Sequence, residues 1–411
     1  MRDNMIEINS ERLLDSLYRL RDIGAVDRGV VRPAFSDADM HARHWLRQEF
    51  IEAGLRAEID GVGNVLGISN NSGPAILLGS HLDTQPKGGW LDGALGVIYG
   101  LEVARTLSEN CLTNHLAVDV VAFQDEESRF LGCLGSRSFV GILDEDTFTN
   151  SIDKDGIRLI DAIDQAGLSG ARRSKLDPDR YLGFLEAHIE QGPHLEDEDM
   201  KIGVVTSIVG LGSREFVFRG QQNHAGTTMM QVRKDAATAL FDLAHTLNNS
   251  FSNLATPSTV WTMGRVLVEP GAVSIIPGYA ELGLQYRDPS NEILDLLDAE
   301  VDLVVKEVSK RVSAKISIKT VGDRIKPIEL DFLLRKNLGL AAEQYAPNRW
   351  IDMPSGAYHD AAIISQLLPA AMLFIPSIGG ISHDFSEDSH QDDIILGCNV
   401  LAEAVIKILS D

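Results

Sequence analysis

The first two hundred residues alternate between helically spaced and continuous apolar positions. Residues 7–23 and 37–54 repeat apolar side chains at helical intervals, and Ser36 or Asp37 is placed to cap the second helix. A third helix is expected at 93–108. Shorter apolar runs predict strands at 56–60, 64–68, 75–80 and 116–123. Alternation of helices with buried strands is typical of an α/β domain.

The pattern changes character after residue 203. The predicted elements are a strand at 204–220, a helix at 230–249, strands at 258–268 and 273–287, an amphipathic helix at 291–312 and a strand at 314–321. This βαββαβ order predicts a compact α+β sandwich. Elements typical of an α/β domain then return, with helices at 329–345, 359–366 and 391–409 and a strand at 370–375. We therefore predict one domain formed by 1–204 and 322–411, with a second domain inserted at 205–321.

The net charge, the cysteines and the apolar stretches indicate which kinds of partner and which compartment to expect. The 411 residues carry a formal net charge of −23, which argues against nucleic acid and anionic membranes. Cys111, Cys133 and Cys398 are scattered and form no CxxC pair, which fits a reducing cytoplasm. The N-terminus shows no signal peptide pattern, and no apolar stretch approaches the roughly 18 residues of a spanning helix. We expect a cytoplasmic protein with no nucleic-acid or membrane partner.

The most informative residues follow the apolar run at 75–80. His81 and Asp83 stand at the end of that predicted strand, and a glycine-rich loop then leads to Asp92. Imidazole and carboxylate groups are the ligands that zinc-like divalent ions prefer. A second carboxylate nearby can bridge two ions, and paired ions suit hydrolysis. Asp83 is two residues from His81 and suits the role of orienting its imidazole.

Two further carboxylates follow the predicted strand at 116–123. Glu126 and Glu127 would be costly to bury at a strand end unless a cation neutralised them. One could bind a metal ion while the other takes a proton from water. The alternative is a solvated acidic loop, which the neighbouring Asp125 makes plausible.

Histidines near glycine turns could complete such a site. His188 lies in an apolar run before Gly192, and His383 follows a strand and a glycine loop. Each alone could be structural, and His359-Asp360 is better read as a supporting pair. Sites in open α/β sheets gather at the carboxyl ends of strands, so the joint pattern favours a shared site. The predicted metal ligands are His81, Asp92, Glu127, His188 and His383.

A set of motifs spanning nearly the whole chain carries a family resemblance. These are 80–84 (Ser-His-Leu-Asp-Thr), Asp92-Gly93, 125–130 (Asp-Glu-Glu-Ser-Arg-Phe), 135–137 (Gly-Ser-Arg), 188–192 (His-Ile-Glu-Gln-Gly), 223–228 (Asn-His-Ala-Gly-Thr-Thr), 276–278 (Ile-Pro-Gly), 355–357 (Ser-Gly-Ala), 359–361 (His-Asp-Ala) and 380–383 (Gly-Ile-Ser-His). The chain resembles the di-zinc amidases that include allantoate amidohydrolase, N-carbamoyl-L-amino-acid hydrolase and β-ureidopropionase. These enzymes are grouped with aminoacylase- and carboxypeptidase-like metallopeptidases.

The resemblance implies a fold, a reaction and two divalent ions. The fold would be a di-metal aminopeptidase-like catalytic domain with a mixed sheet flanked by helices, plus an inserted α+β lid and dimerisation domain. Asp92 would bridge the ions, and Glu126 would be the general base for a metal-bridging hydroxide that attacks a ureido or amide carbonyl. The substrate would be an N-carbamoyl amino acid or a ureido acid such as allantoate. The ions would be zinc or manganese, with cobalt or nickel also suited to these ligands.

The same resemblance assigns substrate contacts. His224 would donate to the developing oxyanion, and Arg287 would hold the substrate carboxylate. Gln191 would bind the ureido or amide end, and Gly356 belongs to a motif at the same pocket. The inserted domain would mediate a homodimer and supply some of these groups across it, and its closure would exclude water.

Departures from the family pattern bear on the substrate. Ser274 stands where the family often has asparagine, and Gln285 where it has aspartate. Met229 replaces a common proline, and Tyr358 a common glycine. The glycine usual after the paired glutamates is also absent, so a shifted register with Asp125 as base and Glu126 as ligand is an alternative. Hydrolysis of an N-acyl amino acid or other amide, and a non-catalytic binding protein, remain as alternative functions.

Overall fold

The computed structural model describes residues 6–320 and 324–410. The chain divides into two compact units. The first unit comprises Met1–Thr206 and Leu330–Asp411, and the second unit comprises Ser207–Glu329. The predicted boundary between residues 321 and 322 lies outside the described residues.

The elements of the first unit before the insertion alternate between helices and strands. They are α1 (Ser10–Asp22), β1 (Ala25–Val26), β2 (Gly29–Val30), α2 (Asp37–Glu52), β3 (Arg56–Ile59), β4 (Val65–Ile68), β5 (Ala75–His81), α3 (Ala94–Glu109), β6 (Ala117–Phe123), α4 (Leu134–Val140), α5 (Glu145–Asn150), α6 (Leu159–Gln165), β7 (Tyr181–Ile189), α7 (His194–Asp197) and β8 (Ile202–Ile208), the last of which ends in the second unit. Of the two predicted caps for α2, Ser36 is the one used, since its hydroxyl accepts from Asp39 N.

The second unit follows the predicted βαββαβ order, with three short strands added. Its elements are β9 (Gly210–Arg219), β10 (Asn223–His224), α8 (Ala236–Leu254), β11 (Val260–Glu269), β12 (Ile275–Ile276), β13 (Tyr279–Asp288), α9 (Asn291–Arg311), β14 (Lys315–Thr320) and β15 (Ile328–Glu329). A one-turn 3₁₀ helix at Met230–Val232 precedes α8. Helix α8 begins later than predicted because Asp235 caps it, accepting from Ala237 N and Thr238 N.

The chain then completes the first unit. The remaining elements are α10 (Phe332–Tyr345), β16 (Trp350–Ser355), α11 (Asp360–Ile364), β17 (Ala370–Ile375), a 3₁₀ turn at Ile378–Gly380 and α12 (Gln391–Ser410). The sequence pattern did not predict β16. None of the helices in the described parts of the chain is long and apolar enough to cross a membrane.

A large mixed sheet forms the centre of the first unit. Its strand order is β15-β8-β17-β7-β5-β6-β4-β3, and β16 also pairs with β8. The pairs β17–β7, β7–β5 and β5–β6 are parallel. The pairs β8–β17, β6–β4 and β4–β3 are antiparallel. Apolar side chains of α1, α3, α10 and α12 pack with the sheet in one core. The prediction of a mixed sheet flanked by helices is confirmed.

The second unit has its own core. Strands β11, β13, β9 and β14 form an antiparallel sheet in that order. Helices α8 and α9 pack on it, and their buried apolar residues form a cluster with those of the sheet. The predicted single strand at 204–220 is instead two strands, because β8 ends at Ile208 and β9 begins at Gly210.

Candidate metal centre

The parallel register of the sheet brings four predicted ligand segments to one edge. Strand β5 ends at His81, which is in register with Phe123 at the end of β6. On the other side, His188 of β7 is in register with Phe374 of β17. Because the carboxyl ends of parallel strands share an edge, the loops that follow β6 and β17 also start there. These loops carry Glu126-Glu127 and His383.

Asp92 lies at the centre of the cluster. Its Oδ1 is 3.1 Å from His188 Nε2 and 3.5 Å from His81 Nε2. Its Oδ2 is 3.1 Å from His383 Nε2. Burial acts to raise the pKa of Asp92, but the contacts with His188, His383 and His81 outweigh it and hold the pKa well below its usual range. The carboxylate is therefore ionised between three imidazoles.

Two groups of potential ligand atoms share Asp92. His81, Asp92 and His188 form one group, and Asp92, Glu127 and His383 form the other, each with its ligand atoms within 4.8 Å of one another. His81 and His188 are buried, whereas the His383 side chain is half exposed. A carboxylate common to two three-residue groups has the connectivity needed to bridge two ions.

The buried imidazoles are oriented by backbone carbonyls. His81 Nδ1 is 2.9 Å from the carbonyl oxygen of Asp83, and His188 Nδ1 is 2.9 Å from that of Ile189. A carbonyl only accepts, so each Nδ1 carries a proton, which leaves Nε2 as the nitrogen available to a metal ion. The backbone of Gly93 also donates to His188 Nε2, at 3.2 Å. A side chain at Gly93 would lie 2.4 Å from the His81 ring, so only glycine fits there.

Asp83 acts on His81 through its main chain and on the paired glutamates through its side chain. The carboxylate accepts from Glu127 N at 3.1 Å and, more weakly, from Glu126 N at 3.4 Å. It lies 3.9 Å from His81 Nδ1 and 3.7 Å from Arg43 Nη2. The contact of Asp83 with the His81 ring is thus made by its carbonyl oxygen, while its carboxylate binds the main chain of the turn after β6.

Glu127 presents one oxygen to the cluster. Gln85 Nε2 donates to Glu127 Oε2 at 2.6 Å. Glu127 Oε1 is buried, has no hydrogen-bond partner among the described residues and lies 3.5 Å from His383 Nε2. Burial, with the nearby Asp92 charge, raises the pKa of Glu127 to about 7. An orphaned buried carboxylate oxygen beside Asp92 and His383 fits a cation ligand.

The side chains of Glu126 and Asp125 make different contacts. Glu126 Oε2 is 3.8 Å from His81 Nε2, and burial raises the pKa of this carboxyl well above its usual value. Asp125 instead accepts backbone N–H bonds from Arg129, Phe130 and Leu131 at 2.7–2.9 Å. With its carboxylate occupied in holding that loop, Asp125 is poorly placed as a base, which favours the unshifted register.

The site holds more buried carboxylates than sequence reasoning assigned to it. Glu186 accepts from Ser80 Oγ at 2.7 Å, and Asp360 accepts from Ser136 Oγ at 2.5 Å. Burial raises the pKa of both groups, that of Asp360 to about 8. Glu387 is 2% exposed and binds the backbone of the Asp92 loop. This concentration of buried acids is compatible with folding where cations offset their mutual repulsion.

Several predicted residues surround the cluster. His359 packs its ring 4.7 Å from that of His188 and lies 2.9 Å from Ser355 Oγ, as a supporting residue would. Gln191 Nε2 donates to Asp92 Oδ2 at 3.2 Å, so its amide already reaches the shared carboxylate. Gly356 is exposed in the loop after β16, and a side chain there would meet open space.

The other predicted contacts belong to the second unit. His224, on β10, is exposed, and its Nδ1 accepts from Gly226 N and Thr227 N at 3.0 and 3.2 Å. The neutral ring therefore carries its proton on Nε2, which makes that nitrogen a donor. Ala225, the residue after His224, donates its backbone N–H to the carbonyl oxygen of Ser274.

Arg287 lies near the end of β13. Its Nε and Nη2 donate to Gln285 Oε1 at 3.2 and 3.0 Å, and burial lowers the pKa of the guanidinium. Gln285 therefore orients Arg287 by hydrogen bonds without adding the negative charge that an aspartate would bring.

Comparisons with known proteins agree with this geometry. The model of peptidase family M20/M25/M40 matches residues 77–407. An N-carbamoyl-L-amino acid amidohydrolase of Geobacillus stearothermophilus is 32% identical, over 97% of this chain and 98% of that protein. A ureidoglycolate hydrolase of Arabidopsis thaliana is 31% identical, over 97% and 86%.

A solved structure extends the likeness to the whole fold. The crystal structure of an amidase of the hydantoinase/carbamoylase family from Burkholderia phymatum superposes with a TM-score of 0.92. It is 45% identical and covers 99% of each chain. The expected relationship to the amidases is confirmed: the chain belongs to peptidase family M20/M25/M40 and is an enzyme of the amidohydrolase type.

Proposed function

We propose that this protein is a two-metal hydrolase that cleaves the C–N bond of an N-carbamoyl amino acid or a related ureido acid such as allantoate. The observation that carries the proposal is the Asp92 carboxylate, shared between two groups of ligand atoms. The names of the relatives support the substrate class, since they include N-carbamoyl-L-amino acid amidohydrolases and ureidoglycolate hydrolases.

The ligand set would be His81, Asp92 and His188 for one ion and Asp92, Glu127 and His383 for the other. Two divalent ions there would polarise the scissile carbonyl and favour deprotonation of water. Imidazole and carboxylate ligands suit zinc or manganese, and cobalt or nickel could also bind.

Glu126 would move the proton. Its carboxylate is next to the ligand Glu127 in the chain and 3.8 Å from His81 Nε2, close to the place where water and substrate would meet. It takes a proton from the attacking water and passes it to the leaving nitrogen. A carboxyl whose pKa is raised by burial is suited to both halves of this transfer.

The contacts proposed for substrate recognition are those that the family resemblance assigns. Arg287 would bind the substrate carboxylate, and His224 would donate from Nε2 to the oxyanion. Gln191 would exchange its bond to Asp92 for one to the ureido group, and Ser274 and Gly356 are further proposed substrate contacts. Domain closure would then exclude water from the reaction.

We also propose a homodimer through the second unit. Strand β11 is an edge of the antiparallel sheet, and it exposes Val260, Val266 and Leu267 by 55%, 51% and 39%. An exposed apolar edge strand favours pairing with another copy. Sedimentation at micromolar concentration tests this: a monomer throughout would contradict it.

A substrate panel tests the reaction itself. Metal-depleted protein is reconstituted with zinc, manganese, cobalt or nickel and assayed with N-carbamoyl amino acids, allantoate and N-acyl amino acids. We expect ammonia release from a ureido substrate and none after chelation. Release of a carboxylic acid from N-acyl substrates alone would favour the rival amidase reaction, for which the changes at Ser274, Gln285, Met229 and Tyr358 leave room. Full turnover in metal-free protein would contradict the two-metal proposal.

A further inference from the structure

A closed ring of hydrogen bonds holds the loop that carries Asp92. The backbone N–H groups of Asp92 and Leu91 donate to Glu387 Oε1 at 3.0 and 3.2 Å. Ser382 Oγ donates to Glu387 Oε2 at 2.7 Å. Gln191 Nε2 closes the ring, reaching Ser382 Oγ at 3.1 Å and Asp92 Oδ2 at 3.2 Å. Three segments that are distant in the chain are thereby tied together at the cluster.

Glu387 is buried against the loop that leads to Asp92. The side chain is 2% exposed, and a Cβ on Gly89 would lie 1.8 Å from Glu387 Oε1. The loop therefore lies directly against the carboxylate, which only glycine allows. Among the described residues, no lysine or arginine forms an ion pair with Glu387. Its donors are two backbone N–H groups and a hydroxyl, which points to a role as a fixed hydrogen-bond acceptor.

Both oxygens of Glu387 face groups that flank proposed ligands. Oε1 binds the main chain of Asp92 itself, and Oε2 binds Ser382, which directly precedes His383 in the chain. The second group of ligand atoms draws two of its three members from these segments. If either segment were flexible, it would have to become ordered when an ion bound. The entropy lost in this ordering would weaken the affinity for the ion.

We propose that Glu387 is a positioning residue that preorders Asp92 and the His383 segment for divalent ions without binding an ion itself. The inference rests on the proposed function, because it requires that ions bind at Asp92. It predicts that metal affinity depends on the acceptor oxygens of residue 387 more than on its charge. Glutamine keeps an oxygen for the Asp92 loop, whereas alanine removes both.

The test measures metal affinity in the full-length protein. Metal-depleted wild type, E387Q and E387A are titrated separately with Zn²⁺ and Mn²⁺ by calorimetry. We expect E387A to bind roughly 10–100-fold more weakly and E387Q to stay much closer to wild type. D60A is the control, because Asp60 is also 2% exposed and accepts backbone N–H bonds from Val62 and Asn64, yet it is not in either ligand group. Its affinity should match wild type.

The outcomes separate this inference from the proposed function. Wild-type affinity in E387A, or equal losses in E387Q and E387A, would overturn the positioning role alone. Failure of wild type to bind either ion would overturn both proposals. Should E387A not fold, S382A breaks the ring while leaving Glu387 in place, and it is expected to weaken binding in the same direction; unchanged affinity in S382A would overturn the inference.

Discussion

The side-chain amide of Gln85 donates to Glu127 Oε2 at 2.6 Å and so leaves only Oε1 directed toward His383. This contact defines how Glu127 can act as a ligand, with one oxygen restrained and the other available. The sequence pattern gave no reason to single out Gln85, although it lies only a few residues after His81.

Replacing Gln85 by leucine should weaken metal binding. The substitution keeps a side chain of similar size but removes the donor, so Glu127 can rotate away from the cluster. We expect affinity for zinc or manganese to fall roughly tenfold, the lower end for residues that orient ligands. Calorimetric titration of the metal-depleted variant measures it, with Gln48→Leu as a control on an exposed glutamine of α2. Equal affinities in Gln85→Leu and wild type would contradict the orienting role.

Glu126→Gln should separate chemistry from metal binding. Glutamine is isosteric but cannot take a proton, so we expect kcat to fall by about 10²–10⁴. Metal content, measured by elemental analysis, should be unchanged, because Glu126 is not in either ligand group. A variant that turns over at the wild-type rate would remove Glu126 as the base.

Arg287→Ala should act on substrate binding. Loss of the guanidinium is expected to raise KM for carboxylate-bearing substrates with a smaller effect on kcat. Arg287→Lys keeps the charge without the bidentate geometry and should fall between wild type and alanine. The control is a substrate analogue whose carboxylate is converted to an amide, for which wild type and variant should differ little. An unaltered KM for the acid excludes Arg287 as the anchor.

Arg43→Met should destabilise the first unit. Arg43 and Asp39 form a fully buried ion pair at 2.9 Å, and Arg43 also donates to the carbonyls of Ala122 and Phe123 at the end of β6. Removing one partner leaves a buried charge, which costs about 3–5 kcal/mol of unfolding free energy. Urea unfolding measures the loss. Arg173→Ala, which removes a pair with the largely exposed Glu145, should change stability little by comparison.

Asp360 makes stability depend on pH. Burial, and next the Glu186 charge, raises the pKa of Asp360 from 3.8 to about 8 in the folded protein. Between these values the folded state holds a proton that the unfolded state has lost, so this group's contribution to stability declines as pH rises from about 4 to about 8. Asp360→Asn lacks this titration. We measure the unfolding free energy of the metal-free variant and of metal-free wild type from pH 5 to pH 8. The variant's value minus that of wild type should increase as pH rises, and a difference that stays constant with pH would contradict the prediction.

The sequence indicated the segments that carry the proposed ligands because each segment is marked by a local pattern. An apolar run that ends at His81, or at Phe123 before the paired glutamates, identifies a strand end, and parallel strands bring such ends to one edge. The same reasoning could not find Glu387, since its importance lies in contacts with residues almost three hundred positions earlier. Nor could it assign the Asp83 carbonyl to His81, because main-chain acceptors have no sequence signature.

Boundaries of elements were missed for a related reason. A continuous β-rich pattern covers 204–220, yet the chain changes sheets between Ile208 and Gly210. Each strand is satisfied by its own partners, β17 for β8 and β13 for β9. Where one strand ends and the next begins depends on pairing with strands that are distant in sequence. The β propensity of the local sequence does not contain this information.

The two ends of the insertion meet at the hydrogen bond from Leu330 N to the carbonyl of Thr206, 3.0 Å long. The two segments of the first unit are therefore adjacent in space where the inserted unit interrupts them in sequence. Because these two residues are already in contact, the length of the inserted segment can change without altering the large sheet of the first unit. An inserted unit of this kind can therefore change in sequence or length while the sheet that carries the proposed metal ligands keeps its main-chain pairing.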